Sequence, residues 1–525
     1  SWTYADLRGN ASAIAKLLLS RKPAAKSLNE DRVAILCPGG CYYAAAMWGV
    51  WAAGGIAVPL AVSYPPKELA FYLEDTNATA ILAHPSLVDT ATAAAAQAQS
   101  LTSAKIDVFS IADTLQDPTI RQSDIDVGSV PINDSNRAML IYTSGTSTGK
   151  PKGVVTRFSN LTAQTDALIS AWNWSTNDKL LHCLPLHHVH GVTVALACAL
   201  RSGASLEMMP RFDAATIWKR VLHGAPDLTL FMGVPTMYVR LLQYYDEHLD
   251  SKEQRMAKDA WGRLRMTVSG SSALPTSVAK RWKDVTGHTM LERYGMTEIG
   301  MGLSNSASNE AERFEGCVGL PLPGVSVRLC YTEDDPNGSV YRKGDVVKST
   351  DVPGEIQIKG ASVFDEYWNR PAEMTTKEFT ADGWFRTGDI AIRDSQFARA
   401  PFRILGRNSI DIIKSGGYKI SALEIERHLL EHPRIADCAV VGIQDVEWGE
   451  RVAAVVAPKS KGSRPSTPVE GGDELRLDAE SIRAWLKKTM AHYKVPSRYI
   501  VLEEGEGIPR NVMHKIDKKV VRAMF

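Results

Sequence analysis

From Tyr42 to Val62 the chain runs for 21 residues without a charge. A run of that length is long enough to cross a bilayer, but it can also be buried inside a folded domain. Its composition favours burial: it is rich in Ala and broken by Gly54-Gly55 and by Pro59. The residues predict a buried helix over 42–53 that ends at the glycine pair, then a core strand over 56–59, and no membrane span. The flanking segments continue the pattern, with helices expected over 4–19 and 67–75 and strands over 32–36 and 79–83. Strands separated by single helices imply a mostly parallel sheet covered by helices. The alanine-rich stretch 91–98 reads as a surface helix.

Met139-Leu140-Ile141-Tyr142 is a further strand, and a second alternating unit follows it: 161–172, 180–184, 192–200 and 228–232. From about 350 the text becomes β-rich, with a short strand over 354–360. Near Gly406-Arg407 it changes again to a compact α+β pattern, with helices over 423–430 and 481–490 and strands over 436–443 and 451–456. Residues 459–474, rich in Pro, Ser and Gly, read as a surface loop. The expected fold is thus α/β and α+β. A large N-terminal domain, 1–406, holds mostly parallel helix-flanked sheets and a β-rich subdomain, and a small α+β domain, 407–525, follows. A length of 525 residues accommodates this.

Lys and Arg total 60 against 59 Asp and Glu, a formal net charge of +1. That balance argues against a nucleic-acid binder built on bulk charge, and 44% hydrophobic residues exclude a disordered chain. The seven cysteines are dispersed and include no C-x-x-C pair, which fits a reducing compartment better than a disulfide scaffold. Cytoplasm or mitochondrion is expected; N-terminal targeting information is not visible in this chain.

The strongest local signal is the stretch from Tyr142 to Gly153, reading Tyr-Thr-Ser-Gly-Thr-Ser-Thr-Gly-Lys-Pro-Lys-Gly. Small hydroxylated residues and glycines let a backbone curl so that N–H groups and hydroxyls face an anion, and Lys150 and Lys152 add positive charge. The spacing is not that of a Walker A loop, because only three residues separate Gly145 from Gly149 and Pro151 follows Lys150. Alone, the stretch says that phosphate is bound, most plausibly the tail of a nucleoside triphosphate.

Further motifs stand in a fixed order along almost the whole chain. They are Pro185–Gly191 (Pro-Leu-His-His-Val-His-Gly), Gly233-Val234-Pro235-Thr236, Ser269-Gly270-Ser271, Tyr294-Gly295-Met296-Thr297-Glu298 and Gly383–Asp389. Gly406-Arg407, Lys414–Lys419 and Pro509–Lys515 complete the series. Together with the loop they resemble the adenylate-forming acyl-CoA synthetase superfamily. The resemblance implies two half-reactions. A carboxylate attacks the α-phosphate of ATP, giving an acyl-adenylate and pyrophosphate; the CoA thiol then displaces AMP. It also implies a small domain that rotates between the steps.

Carried over residue by residue, the resemblance gives Thr143, Ser144, Gly145, Thr146, Thr148, Gly149 and Lys150 to the β- and γ-phosphates. The usual loop has no counterpart of Ser147. Tyr294 would stack on adenine, Thr297 would touch the α-phosphate, and Glu298 would ligate Mg²⁺, a hard cation suited to oxygen ligands. Asp389 would accept both ribose hydroxyls and Arg407 would contact the ribose, with Ser409 at the hinge position. Lys515 would be the adenylation lysine, although its chemistry alone does not separate it from Lys518 and Lys519; the usual glycine before it is His514. Gly416 and Gly417 would let the pantetheine arm of CoA pass.

Arg293 bears on the choice of acid. Many relatives have a glycine immediately before the Tyr-Gly-Met-Thr-Glu segment. An arginine there would fill part of the acyl pocket and present a guanidinium fork to a second carboxylate. With His190, Ser271 and Arg240 as further acyl-pocket residues, the segment resembles malonyl-CoA synthetases, some of which also accept methylmalonate. The implied partners are a small dicarboxylate, ATP and CoA. If Arg293 were instead held by Glu292 or another acid, a small monocarboxylate would be expected, making this a short- or medium-chain acyl-CoA synthetase. A nucleotide-binding regulatory protein without catalysis is the alternative from another class.

Overall fold

The computed structural model describes all residues except 103–104, 144–150, 335–340, 409, 416–417, 460–476 and 512–514. In the first sheet the strands run in the order Asp107–Ser110, Ala80–Ala83, Arg32–Leu36, Ile56–Pro59, Arg137–Thr143 and Lys152–Arg157. The first five are parallel and the last is antiparallel. Strands 56–59 and 80–83 are buried at every residue, as a parallel sheet covered on both faces requires. The uncharged run forms the helix Cys41–Ala52 and the strand Ile56–Pro59. Its Gly49 explains how closely that helix lies on Tyr4–Ser20, because a Cβ there would meet Ile14 at 2.5 Å. Among the described residues, no helix is long and apolar enough to cross a membrane.

Two segments differ in detail from expectation. The helix Val88–Thr102 lies on the outside of the first sheet, but Ala91, Ala94, Ala95 and Ala98 are its buried stripe. Their i, i+3, i+4, i+7 spacing is a core-facing pattern made of small residues. Residues 192–200 fall in a π-helix, His190–Ala197, continued by the α-helix Cys198–Ser202. Such wide turns are rare and recur at functional sites.

The second sheet has seven strands. Ser205–Met208, Lys179–His182, Leu230–Gly233, Met266–Ser269 and Leu291–Met296 are parallel, and Gly300–Ser304 and Leu320–Pro321 add antiparallel at the edge. One face is packed by Trp218, Trp261 and Trp282 with Phe231 and Tyr238, whose rings meet edge to face at centroid separations of 4.7–5.9 Å. Each such side chain contributes roughly 1.5–3 kcal/mol by burial. Together they fix the strand ends that carry the motifs.

A four-stranded antiparallel sheet, from Val325–Cys330 to Phe402–Arg407, is the β-rich part. A five-stranded sheet begins at Ile412–Ser415 and includes the long pair Ile435–Asp445 and Gly449–Pro458. The change of sheet falls between Arg407 and Ile412, beside the division expected at 406/407. The motifs after strands 137–143, 179–182, 230–233 and 266–269 all lie at the carboxyl ends of parallel strands, where open α/β sheets hold their ligands.

Candidate active site

Thr143 ends the strand Arg137–Thr143 and pairs with Lys152, and Tyr142 pairs with Gly153. The two strands that flank the glycine- and hydroxyl-rich stretch are therefore paired antiparallel. Ser144, Gly145, Thr146, Ser147, Thr148, Gly149 and Lys150 lie outside the described residues. The base of the loop is clamped from elsewhere: Tyr142 donates to Asp75 at 2.6 Å, and Arg370 donates to the same carboxylate at 2.8 Å and to the Pro151 carbonyl at 3.3 Å.

The segment Tyr294–Glu298 leaves the second sheet through a tight bend. A Cβ on Gly295 would sit 2.1 Å from the Gly300 carbonyl oxygen, so the bend admits no side chain there. Tyr294 donates to Asp389 at 2.6 Å, and Arg407 donates to the other oxygen of that carboxylate at 3.1 Å. Asp389 is buried, and burial pushes its carboxyl pKa up, opposed mainly by Arg407. Glu298 is buried too; burial raises its pKa, and Tyr367 donates to it at 3.1 Å. Thr297 is partly buried in the turn between them.

Two further side chains attend Glu298: Tyr367, which no sequence motif contains, and Lys152, expected to add charge to the phosphate loop. The Lys152 ammonium lies 4.8 Å from the centre of the Tyr367 ring, and its charge acts on Glu298. No local signal marks Tyr367, whose neighbours in sequence form no motif and whose contact with Glu298 is long-range.

The acyl-side residues gather around Arg293. The residue is 4% exposed, and among the described residues no carboxylate forms an ion pair with it. Its Nε has no hydrogen-bond partner, and an Nη contacts the Ser271 hydroxyl at 3.4 Å. Burial pushes the guanidinium down to about 9, which leaves it charged at neutral pH. The Ser271 hydroxyl is also 3.4 Å from His190 Nδ1, and Ser271 holds a left-handed φ of 70°, a strained conformation for a residue with a side chain. His190 is buried with Nε2 unpartnered, and burial and the Arg293 charge hold it neutral.

Glu292 does not hold Arg293. Neighbouring residues on a strand point to opposite faces, and Glu292 faces Arg427 and Arg403 on the other side. Burial pushes its carboxyl up to about 8. Arg240 is not brought into the group: it is exposed on the helix Pro235–His248, whose Tyr238, Leu241 and Leu242 face the core. Thr236 and Arg240, one helical turn apart, are both exposed.

Lys515 is exposed to the cleft, within electrostatic reach of Arg407, Arg293, Asp389 and Glu298, and desolvation lowers its pKa first. Its backbone N–H donates to the Asn511 side chain at 3.1 Å, and Asn511 N–H returns to the Lys515 carbonyl at 2.8 Å, so Asn511 closes the loop that presents it. Lys518 is placed differently, salt-bridged to Asp411 at 2.6 Å and Glu426 at 2.8 Å. Lys519 is exposed on the short helix Lys518–Arg522. His514, Ser409, Gly416 and Gly417 lie outside the described residues. The flanking strands Ile412–Ser415 and Tyr418–Ser421 are paired antiparallel around the glycines.

Comparison with known proteins places this geometry. Residues 1–368 match the AMP-binding enzyme family, and residues 424–515 match the AMP-binding enzyme C-terminal domain. Malonate–CoA ligase ACSF3, mitochondrial, of Xenopus laevis is 41% identical over 538 residues, covering 100% of this chain and 88% of its own. The crystal structure of ATP-bound MatB from Rhodopseudomonas palustris superposes with a TM-score of 0.81 at 30% identity, covering 99% of this chain and 93% of that one. A malonyl-CoA ligase ternary product complex with methylmalonyl-CoA and AMP gives 0.60 at 34% identity, covering 95% and 94%. The chain belongs to the family of AMP-binding enzymes.

Proposed function

We propose that this enzyme joins malonate to CoA in two steps, forming malonyl-adenylate and pyrophosphate from ATP and then releasing AMP as the thiol attacks. The observation that carries the choice of acid is Arg293, a buried guanidinium with no acidic partner among the described residues. Burying a lone charge is costly, and a dicarboxylate supplies the missing anion while its other carboxylate reacts. The malonate–CoA ligase relative supports the same reading.

In this reading one carboxylate oxygen of malonate bonds to the α-phosphorus as the bond to the bridging oxygen of pyrophosphate breaks. Negative charge builds on the phosphoryl oxygens, and Lys515 and Thr297 offset it. Asp389, oriented by Tyr294 and Arg407, accepts from the ribose hydroxyls. Thr143 and the loop 144–150 hold the phosphates. Mg²⁺ fits Glu298: a buried carboxylate with a raised pKa, neighboured by a lysine and a phenol, is stabilised in its ionised form by a cation, which would neutralise phosphate charge there.

In the second step the thiol sulfur bonds to the acyl carbon as its bond to the AMP oxygen breaks and AMP leaves; Gly416 and Gly417, outside the described residues, are assigned to this step from the family resemblance alone. We divide the chain into 1–406 and a rotating domain, 407–525. We assign the placement of Lys515 at the cleft to the first step, a reading supported by the charges of Asp389 and Glu298 that act on it. The relative's name also favours the mitochondrion.

The test is ATP- and CoA-dependent thioester formation with malonate, methylmalonate, succinate, acetate, butyrate and octanoate. Malonate is expected to lead, and Arg293→Ala to lower its kcat/KM on the order of 10²–10³-fold while sparing acetate. Preferred turnover of acetate or butyrate by the parent enzyme would refute the assignment of the acid and leave the ligase chemistry standing.

A further inference from the structure

We infer that Gly270 is the seat of the Arg293 guanidinium and thereby a specificity-determining position. This rests on the reading that Arg293 receives the second carboxylate. The strands Met266–Ser269 and Leu291–Met296 are parallel and in register, with Val268 opposite Leu291 and Ser269 opposite Glu292. Gly270 follows directly on the first strand and Arg293 on the last paired residue of the second, Glu292, so the two sit side by side where the pairing ends. The arginine side chain folds back across its neighbour: a Cβ on Gly270 would lie 2.4 Å from Cζ, 2.5 Å from Nε and 2.6 Å from Nη1. Real Cβ atoms do not approach other heavy atoms that closely, so the guanidinium occupies the space a side chain at 270 would need.

Shape places this guanidinium more than hydrogen bonding does. Nε has no partner, and the contact to Ser271 is 3.4 Å, beyond the usual range of strong hydrogen bonds. A group held by packing moves when the packing changes. Gly270 is not required for its backbone, because it is not among the residues with positive φ. The clash falls on the far end of a flexible side chain, so Gly270→Ala displaces the guanidinium and leaves the fold intact. Ser269 and Ser271 give no such freedom: one continues the strand and the other already holds a strained φ.

The test is a double-mutant cycle on the full-length enzyme, comparing the parent, Gly270→Ala, Arg293→Ala and the double variant. Misplacing a binding group by about 1 Å costs on the order of 10²-fold. Gly270→Ala should therefore lower kcat/KM for malonate roughly 30–100-fold, mainly through KM, with KM for ATP and the melting temperature unchanged. In the Arg293→Ala background the same substitution should have less than about a twofold effect, because no guanidinium remains to be displaced. An equal loss in both backgrounds, or no loss in either, overturns the inference.

If malonate turnover survives Arg293→Ala, the reading of the substrate has failed instead. A crystal structure of Gly270→Ala then judges the seat separately: a guanidinium left in place refutes it, and a displaced one supports it.

Discussion

Lys518 and Arg293 are both enclosed cations, and the protein treats them in opposite ways. Lys518, in the C-terminal region, is clasped by Asp411 and Glu426, and Asp411 also accepts the backbone N–H of Arg407 at 3.0 Å. These carboxylates raise the lysine's pKa against the effect of burial. Arg293 is more enclosed still but has no carboxylate ion-paired to it among the described residues, only a serine hydroxyl at 3.4 Å. A buried charge whose partners are built in belongs to the architecture. A buried charge whose partner is missing is free to take it from a ligand. The same physical cost supports a domain in one place and marks the acid in the other.

The comparison can be broken by removing each cation in turn. Lys518→Met leaves two carboxylates buried without a cation and should lower stability by about 3–5 kcal/mol, read by denaturant unfolding. Lys515→Ala, three positions away, should leave unfolding unchanged and lower pyrophosphate release on the order of 10²–10³-fold. It should also spare thioester formation from supplied malonyl-adenylate. If Lys518→Met abolished adenylation at unchanged stability, the assignment of the two lysines would be reversed.

Arg293→Met should move stability the other way, raising it by about 1–2 kcal/mol in the absence of substrate, since it replaces a lone buried charge with an apolar chain. A loss of stability would mean that the protein itself supplies the missing partner. A third solution sharpens the contrast on a smaller scale. His182 is 2% exposed and escapes the cost by staying neutral, its pKa pushed down to about 4 by burial. The unfolded chain binds that proton near pH 6.5, so this contribution to stability is complete above about pH 6.5 and is lost as pH falls toward 4. The loss should be on the order of 1–3 kcal/mol, and His182→Gln should flatten the unfolding-versus-pH curve in that window.

Much of the fold was legible because it is written in local pattern. Gly54-Gly55 and Pro59 turned the uncharged run into a helix and a strand, and the alternation of the first hundred residues gave the parallel sheet. The helix over 88–102 was legible as a helix, but not its buried alanine stripe, because small residues serve a close contact and an exposed face equally well. For Arg240 the sequence left a pocket side chain and a surface arginine both open: one turn of spacing fixes a helix face, and only the packing of Tyr238, Leu241 and Leu242 says which face looks inward.

The sequence by itself determined the family, the order of its motifs and the residue types that carry the chemistry, because those depend on short contiguous segments. Only the tertiary structure decided that Lys518 is held by Asp411 and Glu426, that Glu292 turns away from Arg293, and that Tyr367 and Lys152 attend Glu298. Those are questions about partners. The partners of a charge are brought to it by strands and loops far away in the chain, so no window of sequence around the charge contains them.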